Sequence, residues 1–305
     1  MTDCVSISGG DLSAVVMCHG AVLADLRIKG VAHGLTLSLP SLDAYQADKS
    51  HVGAIAGPVA GRIAGGRFSI DGTEYISTRN DGPNTLHGGD RGFGRRPWQL
   101  LDKGPDFVLL ALHWPDQEEG FPGPIDATCR YSIKGNALTI TLEAVTARPT
   151  LCNLAQHSYF NLAGEGRIDD HILQMATNRI TPLGADLLPT GEIASAPNAL
   201  DFSTPRKIGG TVLDNSFVLS SQRRPTAFAA RLSTESLAMT LRTTEPGLIV
   251  YTADKLQSVD HQPRHGICLE PQCWPDAVNH PSFPSIVLRP ENRYRQETIL
   301  EFQVL

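Results

Sequence analysis

Twenty-eight glycines and 21 prolines recur at short intervals along these 305 residues, and their spacing excludes most of the ways such a chain can fold. Proline inside a helix removes a hydrogen bond and clashes with the preceding turn, and glycine there costs about 1 kcal/mol relative to alanine. Few windows remain for an uninterrupted amphipathic helix, so little helix is expected. What lies between the breaks alternates. In ALTITLEAV (137–145), Leu138, Ile140 and Leu142 alternate with Thr139, Thr141 and Glu143, the period of two that puts one set on a buried sheet face. LAMTLRT (237–243) repeats this with Leu237, Met239 and Leu241 inward and Thr240 and Arg242 outward, and HILQM (171–175) and ETILEF (297–302) are shorter versions.

Turn chemistry agrees with strands. RFSI and TEYI are separated by Asp71-Gly72, which tolerates the positive φ angles of a type I′ turn, and YSIKGNALTI turns at Gly135-Asn136. No repeat of fixed period and no low-complexity run occurs, and the turn-rich stretches at 182–210 and 257–265 are short for linkers. The expectation is an all-β fold, a large antiparallel β-sandwich formed as a single domain over 1–305, with a site at the strand ends or on a concave sheet face.

A hydrophobic content of 41% supports a sizeable core. A net charge of -6 without blocks of like charge argues against nucleic acid or an anionic membrane as partner. Six cysteines, at 4, 18, 129, 152, 268 and 273, form no CxxC pair and are read as reduced thiols. The N-terminus lacks a basic region followed by an apolar core, and no apolar run approaches the ~20 residues that span a bilayer. A soluble, cytoplasmic protein is expected.

Three segments carry candidate chemistry: AQHSYFNLAGEG (155–166), LHGG (86–89) and CLEPQ (268–272). They supply two imidazoles and a carboxylate, which is what acid/base work on a neutral polyhydroxylated ligand needs. His157 sits between Asn153 and the aromatic pair Tyr159 and Phe160, so packing can hold its ring while one nitrogen meets a ligand. His87 precedes Gly88 and Gly89, which let a ligand or another backbone approach closely. Taken singly, each histidine reads first as a structural residue, His157 hydrogen-bonded and half-buried and His87 in a turn. Glu270 follows apolar GICL and precedes Pro271, at the end of a buried strand, where a carboxylate costs several kcal/mol unless partnered. Asp214 in LDNSFVL and Arg62 in AGRIAGG are polar groups among apolar or small residues. Each alone suits an ion pair or a turn; together they suit sugar hydroxyls.

Other features carry no chemistry. His261 and His265 are spaced four apart, but Pro263 breaks the helix that would align them, so no zinc pattern survives. The glycines of GGRF (65–68) and LHGGDRGFG (86–94) lack the strand-to-helix context and lysine of phosphate-binding loops. Neither metal nor cofactor is expected. Asp169, Asp170 and His171 read as the charged start of a strand, and Arg95-Arg96 as a solvated loop. No serine lies in a G-x-S-x-G elbow, which leaves acid/base catalysis rather than acyl transfer.

The chain resembles the aldose 1-epimerase, or galactose mutarotase, family. The likeness is carried by GRIAGGRFSIDGTEYISTRNDGPNTLHGGDRGFGRRPW (61–98), EEGFPG (118–123), NLAQHSYFNLAG (153–164), LDNSFVL (213–219), TTEPGLIVYT (243–252) and GICLEPQCWPDAVNHPSFPSIVLRP (266–290). It runs from roughly 53 to 303, and the first 50 residues match only loosely. The resemblance implies a galactose mutarotase-like supersandwich, no required cofactor, and interconversion of the α and β anomers of a free aldose. By position, His157 matches the general acid, Glu270 the general base, and His87, Asp214 and Arg62 the substrate-contacting residues. The implied partner is a small monosaccharide, and the implied assembly a monomer or weak homodimer. With ordinary pKa values near ~4.3 and ~6.5, Glu270 is ionised and His157 partly protonated at neutral pH. Three positions depart from the family pattern: Pro58 replaces an arginine, Gly61 an asparagine and Ile249 a glutamine, each a loss of hydrogen-bonding groups around the ligand. Two other readings of the same residues are a non-catalytic sugar-binding or regulatory protein, and a glycoside hydrolase or lyase using Glu270 and Asp214 as its carboxylate pair.

Overall fold

A computed structural model describes residues 4–305. Two large sheets face each other. The first has nine strands in the order Arg206–Lys207, Ile172–Met175, Ala227–Ser233, Leu237–Thr243, Tyr294–Val304, Ala137–Thr146, Ile125–Lys134, Phe107–Trp114 and Gln99–Lys103. The second has six: Tyr159–Phe160, Ile267–Gln272, Gly247–Tyr251, Asp214–Val218, Arg179–Thr181 and Ala194–Ser195. A three-stranded sheet of Cys4–Gly9, Leu12–Met17 and Val22–Ile28 adds to them.

Period-two patterning fixes the register, because a slip of one residue would turn every apolar side chain to solvent. In Ala137–Thr146 the residues Leu138, Ile140, Leu142 and Ala144 are buried, while Thr139, Thr141 and Glu143 are half-exposed. Ile140 lies opposite Tyr131 on one side and Thr298 on the other. One continuous apolar cluster joins Leu138 and Ile140 of the first sheet, Phe217, Val250 and Leu269 of the second, and Ile7 and Leu12 of the third. That shared layer makes the fold a sandwich. The α-helix of the described residues is a short one, Leu42–Ala47, capped by Ser41, whose hydroxyl accepts the Ala44 N–H. No helix among the described residues is long and apolar enough to cross a membrane.

The hairpins fall where the turns were expected. Asp71 and Gly72 both take positive φ, 51° and 78°, as a type I′ turn requires, whereas at 135–136 only Gly135 does, at 59°. Two surface readings are corrected by burial. Arg96 is half-buried rather than fully solvated: it follows the turn Phe93–Arg95, and its guanidinium lies 5.2 Å over the buried Trp114 ring and pairs with Glu118. His171 is not part of a charged surface either. Asp170 does stay outside, paired with Lys207, but the His171 ring is buried and its Nε2 accepts the Leu162 N–H at 2.9 Å. Cys129, Cys152, Cys268 and Cys273 are buried free thiols.

Candidate active site

The six-stranded sheet builds the floor of a cavity of ≈ 230 Å³. Adjacent strands align one row across the sheet, Ser216–Ile249–Glu270, and beside it another, Asp214–Tyr251–Cys268–Tyr159. Alternate residues of these strands, such as Phe217, Val250 and Leu269, point into the core. The sequence placed Glu270 at a strand end; it lies instead inside Ile267–Gln272, all six residues of which are buried. Such two-sided burial erases the alternation a sequence reading relies on.

His157 and Glu270, 113 positions apart, meet on this floor: Nε2 of the ring lies 3.6 Å from Oε1 of the carboxyl. The other ring nitrogen, Nδ1, is 3.6 Å from the Cys268 sulfur. The second carboxyl oxygen accepts from Gln272 Nε2 at 3.3 Å, and Asn153 Nδ2 in turn donates to Gln272 Oε1 at 3.4 Å. A chain of amides thus holds the carboxyl, the supporting arrangement that fixes a reacting group's rotamer. His157, Cys268 and Glu270 are donor types that bind metals and their donor atoms lie within 4.8 Å of one another. Glutamate and cysteine, however, approach opposite nitrogens of the one ring, so they do not converge on a common centre.

Burial sets the charge states. It pushes the Glu270 carboxyl up to about 8, with the nearby Asp214 charge adding to the effect, and draws the His157 imidazole down to about 4. The ionised glutamate expected from ordinary values is therefore corrected: burial in the cavity favours the neutral forms of both groups.

His87 reaches the same cavity from the strand Thr85–Leu86, with a left-handed backbone (φ 52°) that turns its ring inward. Its Nδ1 accepts the Gly61 N–H at 3.2 Å, which leaves Nε2 carrying the proton of the neutral ring. Burial holds that ring neutral, with the His51 and His157 charges adding to the effect. The first glycine after it serves a backbone rather than a ligand: a Cβ at Gly88 (φ 88°) would stand 2.1 Å from Gly57 O. Gly88→Ala is expected to cost about 2–4 kcal/mol in urea unfolding, through strain and overlap, and to raise KM by displacing His87. Arg62 and Asp214 also line the cavity. Arg62 is simultaneously an ion-pair residue, its Nε 2.7 Å from Asp81 Oδ2. Burial pushes the Asp214 carboxyl up, against the pull of Arg62 and Lys255.

All five site residues predicted from sequence therefore line one cavity. Of the three departures, Gly61 and Ile249 line it too, and Pro58 is buried behind it, its carbonyl accepting the Asn153 N–H. The sequence reading missed Leu183 and Leu187, which come from a turn-rich stretch with no chemical signal, and Gln272 and Cys268, which looked like ordinary strand residues. It also missed His51, whose signal was present: a histidine two residues before a glycine, in the segment leading into Arg62.

An antiparallel sandwich that sets an imidazole against a carboxyl in a cavity ringed with further polar groups defines a carbohydrate-type acid/base protein. The chain belongs to the aldose 1-epimerase family, whose pattern it matches over residues 3–301. The likeness thus includes most of the N-terminal 50 residues, which short motifs alone had left out. The galactose mutarotase of Rattus norvegicus is 36% identical over 96% of this chain and 92% of its own length. The aldose 1-epimerase of Escherichia coli (strain K12) is 31% identical over 94% and 91%. Among solved structures, a GalM/aldose epimerase homologue from C. elegans superposes with a TM-score of 0.94 at 27% identity over 100% of both chains. A galactose 1-epimerase from Lactobacillus acidophilus does so at 0.85 and 27%, over 97% of this chain and 92% of that one.

Proposed function

We infer that this protein is an aldose 1-epimerase that interconverts the α and β anomers of a free monosaccharide, with Glu270 as base and His157 as acid. The observation that carries the reading is the 3.6 Å approach of His157 Nε2 to Glu270 Oε1 inside the cavity. Inverting the anomeric centre without breaking an exocyclic bond requires the ring to open. Glu270 takes the proton of the C1 hydroxyl, the C1–O5 bond breaks, and His157 gives a proton to O5. Rotation about C1–C2 turns the aldehyde, and the same transfers in reverse close the other anomer, with no net change in protons.

Ring opening starts from the carboxylate–imidazolium form of the pair, the minor arrangement of its one shared proton, and ends in the carboxylic acid and neutral imidazole that burial favours. Positioned acid and base groups each supply roughly 10²–10⁴-fold, which is enough for a reaction that free sugars undergo unaided in water. His87, Arg62 and Asp214 are assigned to the sugar hydroxyls. The intact acid/base pair distinguishes this reading from a non-catalytic sugar-binding protein. Polarimetry on freshly dissolved α-glucose, α-galactose and several pentoses tests it: accelerated mutarotation of at least one sugar is expected, and none with any sugar, from folded protein, overturns it.

A further inference from the structure

One imidazole in the cavity has no task in the chemistry above. His51 lines the same wall as His87 and His157, its ring 4.8 Å from His87, edge to face, and 6.0 Å from His157. The other two rings are committed: His87 Nδ1 to the Gly61 amide, and His157 to Glu270 and Cys268. Among the described residues neither nitrogen of the His51 ring makes a hydrogen bond, and the ring lines the cavity. The backbone at His51 is held in the left-handed region (φ 55°), uncommon for a residue other than glycine. Strain of this kind persists only where the surroundings enforce it and gathers at ligand sites. Hydrogen bonds from Gly53 N to His157 O and from His157 N to Ala54 O tie the segment after His51 to the backbone of His157.

We propose that His51 is a specificity-determining residue that reads one ring hydroxyl of the sugar. A neutral imidazole offers one donor and one acceptor, the pair a hydroxyl can satisfy in return. Burial, reinforced by the His157 and Arg95 charges, draws the His51 pKa down to about 3, so the ring stays neutral through the working range. Gly61 and Ile249 on the same cavity wall offer a ligand no polar side chain, whereas the uncommitted imidazole does. This inference rests on the reading of the cavity as a monosaccharide site and adds to it which side chain selects among sugars.

His51→Phe keeps a ring against His87 and removes both nitrogens. Polarimetric KM and kcat are measured for a sugar that the wild type accepts and for its 2-, 3-, 4- and 6-deoxy analogues. The expected result is a KM raised roughly tenfold for the parent sugar with kcat changed less than about threefold. For one deoxy analogue, already weak with the wild type, the variant should lose nothing further, since the hydroxyl and its reader are removed together. An unchanged KM for every sugar, or an equal loss for the parent and all analogues, overturns the proposal. Where Phe does not fold at this backbone position, His51→Gly accepts the left-handed conformation and should show the same selective pattern. The same comparison by calorimetry, between Glu270→Gln and the double variant Glu270→Gln/His51→Phe, needs no turnover. It therefore separates failure of this proposal from failure of the catalytic one.

Discussion

Replacing Glu270 by glutamine is expected to slow mutarotation at least ~100-fold and, in the same protein, to raise stability at alkaline pH. The rate loss follows from removing the group that takes the C1 hydroxyl proton, while the amide keeps the shape of the side chain. The stability gain follows from proton linkage. Burial moves the Glu270 pKa from 4.5 to about 8 on folding, so between those values the folded chain holds a proton that the unfolded chain has released. Raising the pH through that window pulls toward the unfolded state, and stability falls. At about 1.36 kcal/mol per pKa unit, the wild type gives up about 3–5 kcal/mol by pH 9. Glutamine does not titrate. The variant should match the wild type near pH 4.5 and exceed it by roughly 10 °C in Tm at pH 9, as read by thermal melts at both values. Equal melting at pH 9 would show that the carboxyl is not buried as described.

His157→Asn is expected to cost at least ~100-fold in kcat and to change the form of the pH profile, which a merely structural role would not do. In the wild type the pair carries one shared proton between about 4, where His157 gains a second, and about 8, where Glu270 loses the last. Below that window no base remains, and above it no acid, so kcat/KM should be bell-shaped with limbs near those values, which belong to the pair as a whole. With asparagine in place, Glu270 alone titrates. The residual rate should then climb as the carboxyl ionises and fail to fall on the alkaline side. A bell preserved in the variant, or a near-normal rate, would remove His157 from the proton relay.

The sandwich was legible in the sequence because its long strands are each buried on one side. Leu138, Ile140 and Leu142 declared their face by alternation, and Asp71-Gly72 declared its turn by side-chain chemistry. The strand Ile267–Gln272 declared neither, being buried on both faces, and so the position of Glu270 within it was misread. His171 and Arg96 were misread for the opposite reason: polar residues were assigned to solvent, whereas a hydrogen bond from Leu162 holds His171 inside and the face of Trp114 half-buries Arg96.

The sequence alone determined which groups could react, since residue types, glycine-rich settings and ordered motifs are properties of the chain as written. The tertiary structure decided what state those groups are in and which of them meet. The 3.6 Å contact between His157 and Glu270 depends on a register that no local window contains. Their shifted pKa values depend on how much water the surrounding sheets exclude. Proximity across 113 positions and desolvation both arise from packing, and packing is a sum over the whole fold rather than over neighbours in sequence.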